Sequence, residues 1–180
     1  MSKYKTVIYN ANLITMDDEN KVIDNGYLVF VDGLIHALGT GAPEMDDYTD
    51  SIDANGGLVT PGLINCHTHA PMSLFRGLGD DEPDRLKRFI FPLEAKYVSP
   101  EFVRTGTALS CVEMLLGGTT CFADMYFFEE EVAATASELG IRVLAGQTLM
   151  NGATPDAATI EDAFTRAVNF CEDWNSDDLV

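Results

Sequence analysis

Residues 60–69 read TPGLINCHTH, and this stretch separates two parts of the chain with different sequence patterns. Residues 58–66 form a largely apolar run, typical of a strand buried on both faces, and two of the chain's three histidines follow directly after it. Because successive side chains of a strand point to opposite faces, His67 and His69 share one face, and their imidazoles can converge on a single metal ion. Two ordinary polar histidines at a strand end are the alternative interpretation of this spacing.

The sequence after this stretch alternates between helix and strand patterns. Ser99 and Pro100 carry the signature of a helix start, and Gly117 ends that helix. The patterns that follow predict a strand at 119–126, a helix at 129–139, a strand at 141–147 and a helix starting at Thr154. Such alternation is typical of a parallel sheet, and barrel enzymes build their active sites at the C-terminal ends of parallel strands.

The residues before this stretch have the pattern of short β-strands and not of alternating strands and helices. Short β-patterns separated by turn residues fill residues 5–52, and Asp32-Gly33 predicts a two-residue hairpin turn. We therefore predict two parts, a β-module at 1–57 and a part with three βα units at 58–180. A closed eight-fold barrel takes about 250 residues, so none can close within this chain.

Composition limits the classes of function. With 46% apolar and 22% charged residues, the chain has the composition of a globular protein. Its formal net charge of −18 argues against nucleic acid or anionic lipid as partner. No 18 consecutive apolar residues occur and no apolar leader stands at the N-terminus, which predicts no membrane association and a cytoplasmic location. The four cysteines are far apart, so we expect free thiols.

Residues 61–77, PGLINCHTHAPMSLFRG, resemble the first-strand signature of the amidohydrolase superfamily, in its aminohydrolase and chlorohydrolase branch. Within that branch the chain is most similar to the methylthioadenosine/S-adenosylhomocysteine deaminases. Further matching text is FPLE at 91–94, EML at 113–115 and GTTCFADMY at 118–126. The similarity spans nearly the whole chain.

This resemblance implies an α/β fold, an incomplete (β/α)8 TIM-like barrel of which the chain holds the first three βα units, preceded by a small β-sandwich module. It also implies one divalent metal ion, usually zinc, with His67 and His69 among its ligands. In such enzymes the ion activates a water molecule, and the remaining ligands and a glutamate proton shuttle come from later strands. We therefore assign no catalytic residue within this chain, and we expect the chain alone to be inactive.

Two further residues bear on the substrate. Glu94 matches a glutamate that accepts hydrogen bonds from ribose hydroxyls in nucleoside deaminases, and the alternative is a solvated acid at a helix start. Gln147 stands where members that accept homocysteine carry an arginine for the substrate carboxylate. Gln147 cannot form that ion pair, which argues against a substrate that bears an amino acid.

Other charged residues receive structural interpretations. Asp81 and Asp124 do not match the metal aspartate of the family, and we expect them to order loops. Arg76 either orients a substrate or pairs with Asp80 or Asp81. His36 lies in the β-module and is expected to be a surface histidine.

The sequence thus predicts the N-terminal part of a metal-dependent aminohydrolase that deaminates a purine-nucleoside-like or related heterocyclic amine. The alternatives are a triazine, chloro- or guanine-type hydrolase of the same branch, or a noncatalytic binding or assembly subunit if the chain is complete at 180 residues. The expected partners are a small-molecule substrate and either further copies of the chain or the missing C-terminal part. An open sheet would leave apolar edges for such partners to cover.

Overall fold

The computed structural model describes residues 4–43 and 48–180. Residues 1–3 and 44–47, which belong to the predicted β-module, lie outside the described residues. The chain divides into two compact units, Met1–Pro61 and Gly62–Val180. Within the described ranges, no helix has both the length and the apolar character that crossing a membrane requires.

The first unit contains a five-stranded sheet. Its strands are β1 (Lys5–Ile14), β2 (Val22–Val31), β3 (Leu34–Thr40), β4 (Asp50–Asp53) and β5 (Leu58–Val59). β1, β2 and β3 are antiparallel neighbours, whereas β4 and β5 pair with β1 in parallel. Asp32 and Gly33 both have positive φ, 51° and 82°, which confirms the predicted hairpin turn. A sandwich requires two layers, and the described strands of this unit form one.

The boundary between the two units falls later than the predicted end of the β-module at residue 57. The sequence stretch 58–66 was expected to form one strand, but Leu58 and Val59 pair with Asn12 and Leu13 of β1. These backbone hydrogen bonds keep β5 in the first unit. The next strand starts only at Leu63, after the Pro61/Gly62 division.

The second unit has the predicted α/β organisation, a parallel sheet in the order β6-β7-β8 with helices between its strands. Its elements are β6 (Leu63–Thr68), α1 (Phe91–Tyr97), α2 (Pro100–Leu116), β7 (Thr119–Tyr126), α3 (Glu129–Leu139), β8 (Arg142–Gln147) and α4 (Ile160–Trp174). A 3-10 turn at Ala70–Phe75 and a π-helical turn at Leu86–Ile90 connect β6 to α1.

The predicted starts of two helices have different outcomes. The Ser99 side chain accepts a hydrogen bond from the Phe102 amide, which confirms the predicted start of α2. The predicted start of the last helix at Thr154 is wrong, because Thr154 closes a turn with Ala157. Thr159 instead caps α4 through a reciprocal capping box, which satisfies the free amides at the helix start.

Helices cover one face of the parallel sheet and leave the other face open. Phe122 is fully buried and Val143 is 4% exposed, and both lie in the core cluster that includes residues of α2 and α3. On the opposite face Ile64 is 68% and Leu144 73% exposed. The sequence pattern of β6 favoured a strand buried on both faces, and this expectation is wrong because the described helices pack against only one face.

Candidate metal centre

A bulge in β6 determines where its two histidines point. Asn65 pairs with Phe122 and Thr68 pairs with Asp124, so three steps along β6 match two steps along β7. Such an extra residue reverses the alternation of side chains between the two faces. Thr68 therefore shares the helix-covered face with Asp124, and His67 and His69 lie on the open face.

The two imidazole rings lie side by side, as the sequence predicts. The centroids of the His67 and His69 rings are 5.1 Å apart and the ring planes are inclined by 80°. Two imidazoles that bind the same tetrahedral zinc ion, at Zn–N distances of about 2.0–2.1 Å, have ring centroids about 5 Å apart. The spacing of the two rings thus fits a shared metal ion.

A backbone carbonyl group fixes the ring of His69. Nδ1 of His69 lies 2.6 Å from the carbonyl oxygen of Met125. Since a carbonyl can only accept, Nδ1 carries the proton, and Nε2 keeps its lone pair available for a metal ion. Histidines that bind metals generally donate their second ring N–H to a partner of this kind.

Asp124 holds the backbone on both sides of His69. Its Oδ1 accepts hydrogen bonds from the Thr68 hydroxyl at 2.5 Å and from the Ala70 amide at 2.6 Å. Asp124 is only 5% exposed, and burial raises the pKa of its carboxyl group while these hydrogen bonds lower it. These contacts confirm that Asp124 orders the loop after β6.

Glu94 lies in α1 and is buried, so the alternative interpretation as a solvated acid at a helix start is wrong. The hydroxyl of Tyr126 donates a hydrogen bond of 2.8 Å to Oε1 of Glu94. Burial raises the pKa of Glu94, whereas the hydrogen bond from Tyr126 lowers it. The sequence predicted a role for Glu94 but gave no indication of its tyrosine partner.

The structure changes the predicted partner of Arg76. The guanidinium group of Arg76 binds both carboxylate oxygens of Glu113, at 2.9 and 2.6 Å. Asp80 pairs with Arg85 instead, at 3.0 Å, and Asp81 is exposed. α2 places Glu113 next to the loop after β6. Arg76 therefore pairs with a residue that is distant in sequence, and not with Asp80 or Asp81.

The remaining predicted residues lie apart from the histidine pair. Nε2 of Gln147 donates to Asp156 at 2.7 Å at the end of β8, while its Oε1 is buried without a hydrogen-bond partner among the described residues. His36 is exposed on β3, as expected for a surface histidine. The four cysteines are free thiols, and burial raises the pKa of Cys111 to about 12, which makes it unreactive.

The donor set in the described residues is partial. Within residues 4–43 and 48–180, no group of three or more His, Cys, Asp or Glu side chains is arranged to hold a metal ion. His67 and His69 fit as two ligands by the spacing of their rings and by the free Nε2 of His69. A tetrahedral zinc ion needs two more ligands, and the nearby carboxylates of Asp124 and Glu94 are already hydrogen-bonded.

Sequence comparisons relate the chain to one family of hydrolases. The sequence pattern of the amidohydrolase family matches residues 58–175. A 5-methylthioadenosine/S-adenosylhomocysteine deaminase from Thermodesulfovibrio yellowstonii is 45% identical over 98% of this chain and 42% of its own length. The corresponding deaminase of Aquifex aeolicus is 38% identical over 100% of the chain and 40% of its own length. The chain thus spans about two fifths of the length of these curated relatives.

Solved structures give the same relation at the level of the fold. An adenosine deaminase from Xanthomonas campestris with bound zinc matches with a TM-score of 0.82 and 33% identity, over 98% of this chain and 41% of that protein. An atrazine chlorohydrolase from Arthrobacter aurescens complexed with zinc matches with a TM-score of 0.79 and 22% identity, over 96% of this chain and 44% of that protein. The second likeness concerns the fold alone.

Proposed function

The chain belongs to the amidohydrolase family, and we propose that it forms the N-terminal part of a zinc-dependent deaminase. The proposed reaction is hydrolytic removal of an amino group from a purine-nucleoside-like or related heterocyclic amine. The observation that carries the proposal is the pair of imidazoles, 5.1 Å apart at the C-terminal end of the first parallel strand.

The proposed fold of the whole protein is a (β/α)8 barrel whose first three βα units lie in this chain. The open face of the sheet supports this proposal, since Ile64 and Leu144 leave most of their apolar surface exposed there. In a closed barrel this face becomes the interior and is filled by side chains of the other strands. The residues that complete the metal site would come from those later strands.

The ligand atoms in this chain have defined roles in the proposal. A bound zinc ion supplies positive charge that lowers the pKa of a water ligand toward neutrality. Nε2 of His69 would bind the ion while the Met125 carbonyl keeps Nδ1 protonated and fixes the ring plane. His67 would provide the second nitrogen, and its ring is exposed and therefore accessible to an ion.

Glu94 is the proposed substrate-binding residue. A carboxylate has several acceptor positions, and the hydroxyl of Tyr126 occupies one of them at Oε1. The carboxylate would accept hydrogen bonds from the hydroxyl groups of a ribose. The ring of Tyr126, whose hydroxyl binds Glu94, has its centroid 6.4 Å from that of the His69 ring, which supports a position of Glu94 near this proposed ligand.

The other parts of the proposal concern partners and location. We propose a small-molecule substrate and association with the rest of the barrel or with further copies of the chain. The net charge of −18 disfavours nucleic acid and anionic membranes as partners. A cytoplasmic location is part of the same proposal.

The test uses the full-length protein that contains this chain. Replacing both ligands, as His67→Ala with His69→Ala, should abolish zinc retention and reduce deamination of 5-methylthioadenosine to background. His36→Ala is the matched control, because that exposed histidine lies in the first unit, and it should leave both properties unchanged. Normal zinc content and turnover in the double variant would overturn the proposal.

The choice of substrates in the same assay decides among the alternatives. Turnover of a chlorotriazine or of guanine without turnover of the nucleoside would replace the proposed substrate by one of the branch alternatives. Absence of any hydrolysis by a zinc-loaded, full-length protein would instead favour a noncatalytic binding or assembly subunit.

A further inference from the structure

A buried acid next to the metal ligands is not used by the proposed chemistry. Glu129 is the first residue of α3, and it is completely buried. Both of its carboxyl oxygens, and Oδ2 of Asp124, are buried and have no donor group at hydrogen-bonding geometry in the described part of the chain. A buried polar atom without a partner is destabilising, so this arrangement requires an explanation.

The missing hydrogen-bond partners of the two carboxyl groups are explained if these groups share a proton. Two ionised carboxylates in contact repel, and neither can donate, whereas a protonated carboxyl group donates to its ionised neighbour. Glu129 and Asp124 are both buried, and each side chain influences the pKa of the other, as expected of neighbouring carboxyl groups. Oδ1 of Asp124 accepts two hydrogen bonds, which favour its ionised form, whereas Glu129 receives none, so the proton belongs to Glu129. Burial and the charge of Asp124 raise the pKa of Glu129 in agreement with this assignment.

This pair connects directly to the backbone that carries His69. Oδ1 of Asp124 binds the Thr68 hydroxyl and the Ala70 amide, the residues on either side of His69. The next residue of β7, Met125, supplies the carbonyl that binds Nδ1 of His69. The end of β7 therefore holds both the ring of His69 and the backbone around it.

We propose that Glu129 and Asp124 are positioning residues for the metal ligand His69. Glu129 donates a hydrogen bond to Oδ2 of Asp124, and this bond fixes the orientation in which Oδ1 receives Thr68 and Ala70. The inference rests on the proposed metal site, because His69 needs a fixed orientation only if it binds a metal ion. Partners that orient ligands in this way typically change metal affinity by about 10- to 100-fold.

The experiment compares two replacements of Glu129, made in the full-length protein that contains this chain, by titration of the metal-free protein with Zn²⁺. Glu129→Gln keeps a donor toward Asp124 and should bind Zn²⁺ within about threefold of the unmodified protein. Glu129→Leu has a similar size but no donor, and its dissociation constant should rise by at least about tenfold. Glu131→Leu, on the same helix and 3.8 Å from Arg104, is the matched control and should leave the affinity unchanged. Equal affinities of the Leu and Gln variants would overturn the inference.

A second readout needs no metal ion. Two-bond ¹H–¹⁵N NMR spectra report which ring nitrogen of His69 carries the proton. The unmodified protein and Glu129→Gln should show the single Nδ1–H form, whereas Glu129→Leu should show ¹⁵N shifts averaged between the two tautomers. A single unchanged tautomer in all variants would contradict the inference. If the unmodified full-length protein binds no Zn²⁺ through its histidines, the proposed function fails, and the tautomers still decide the inference.

A third pair of variants covers the case in which Glu129→Leu does not fold. Thr68→Val removes only the hydroxyl that binds Asp124 and keeps the shape of the side chain, and Thr68→Ser retains the hydroxyl. The inference predicts weaker Zn²⁺ binding and mixed His69 tautomers for Thr68→Val but not for Thr68→Ser. Identical behaviour of these two variants would overturn it.

Discussion

The two faces of the parallel sheet differ in how far the described residues cover them. The helix-covered face belongs to a buried hydrophobic core, in which Phe122 is fully buried and Tyr126 is 3% exposed. The open face carries Ile64 and Leu144 in solvent and also carries the histidine pair. The described residues thus bury one face of the sheet and leave apolar side chains of the other face, together with the two histidines, uncovered.

The largest expected effect separates the two faces by stability. Phe122→Ala removes a fully buried ring and should lower the free energy of unfolding by about 3–5 kcal/mol. Leu144→Ala, on the open face, should change it by no more than about 0.5 kcal/mol. Chemical denaturation of both variants at low protein concentration provides the measurement. Similar losses in both variants would show that the open face is covered in solution.

The second prediction concerns the acid pair between the covered face and the histidines. The folded chain holds a proton on Glu129 up to a pKa of about 10, whereas an unfolded chain releases it near the ordinary glutamate value. The stabilising contribution is therefore complete at low pH and is lost as pH rises toward 10. The free energy of unfolding should fall by up to about 1.4 kcal/mol per pH unit relative to Glu129→Gln.

The measurement for this second prediction is denaturation of the two proteins at several pH values between 5 and 9. Glu129→Gln acts as the reference because it cannot titrate, and it carries the background that the other acidic side chains produce. Parallel pH profiles of the two proteins would mean that Glu129 is ionised in the folded chain.

A smaller effect is expected where the covered face meets the proposed substrate residue. Tyr126→Phe removes the hydroxyl that donates to Glu94 and leaves a buried carboxylate with one partner fewer. The free energy of unfolding should fall by about 1–3 kcal/mol. Tyr97→Phe is the control, since the Tyr97 side chain is 50% exposed on the same helix as Glu94. Equal stability of the two variants would show that this hydrogen bond contributes nothing.

The smallest effect is expected on the surface, outside both faces. Arg76→Lys keeps the positive charge and loses the paired hydrogen bonds to Glu113. Because both side chains are well exposed to water, thermal unfolding should show no measurable change. A clear decrease in melting temperature would give the loop after β6 a structural importance that its exposure does not indicate.

The sequence predicted those elements that local signals specify. Ser99 and Pro100 announce the start of α2, and the turn at Asp32-Gly33 needs only two residues. The helix start at Thr154 was wrong, because a local turn and the capping box at Thr159 compete with it and only the folded chain shows which one prevails.

The site was predicted in part. Regular alternation from Asn65 would place His67 on the helix-covered face, and the bulge that moves the histidines to the open face arises from pairing with β7, a strand distant in sequence. Glu129 is a second example. Its position in the sequence is that of an ordinary acid at a helix start, and only the folded structure shows that it is buried, as Asp124 is. Long-range pairing and burial are the properties that no local pattern contains.

Binding of one zinc ion by His67 and His69 together is tested most directly by a crystal structure of the zinc-loaded, full-length protein with anomalous scattering recorded at the zinc absorption edge. We expect one zinc peak about 2.0–2.1 Å from Nε2 of His69 and from a ring nitrogen of His67, with the Met125 carbonyl still bound to Nδ1 of His69. A zinc ion bound elsewhere, with both imidazoles free of metal, would contradict this expectation.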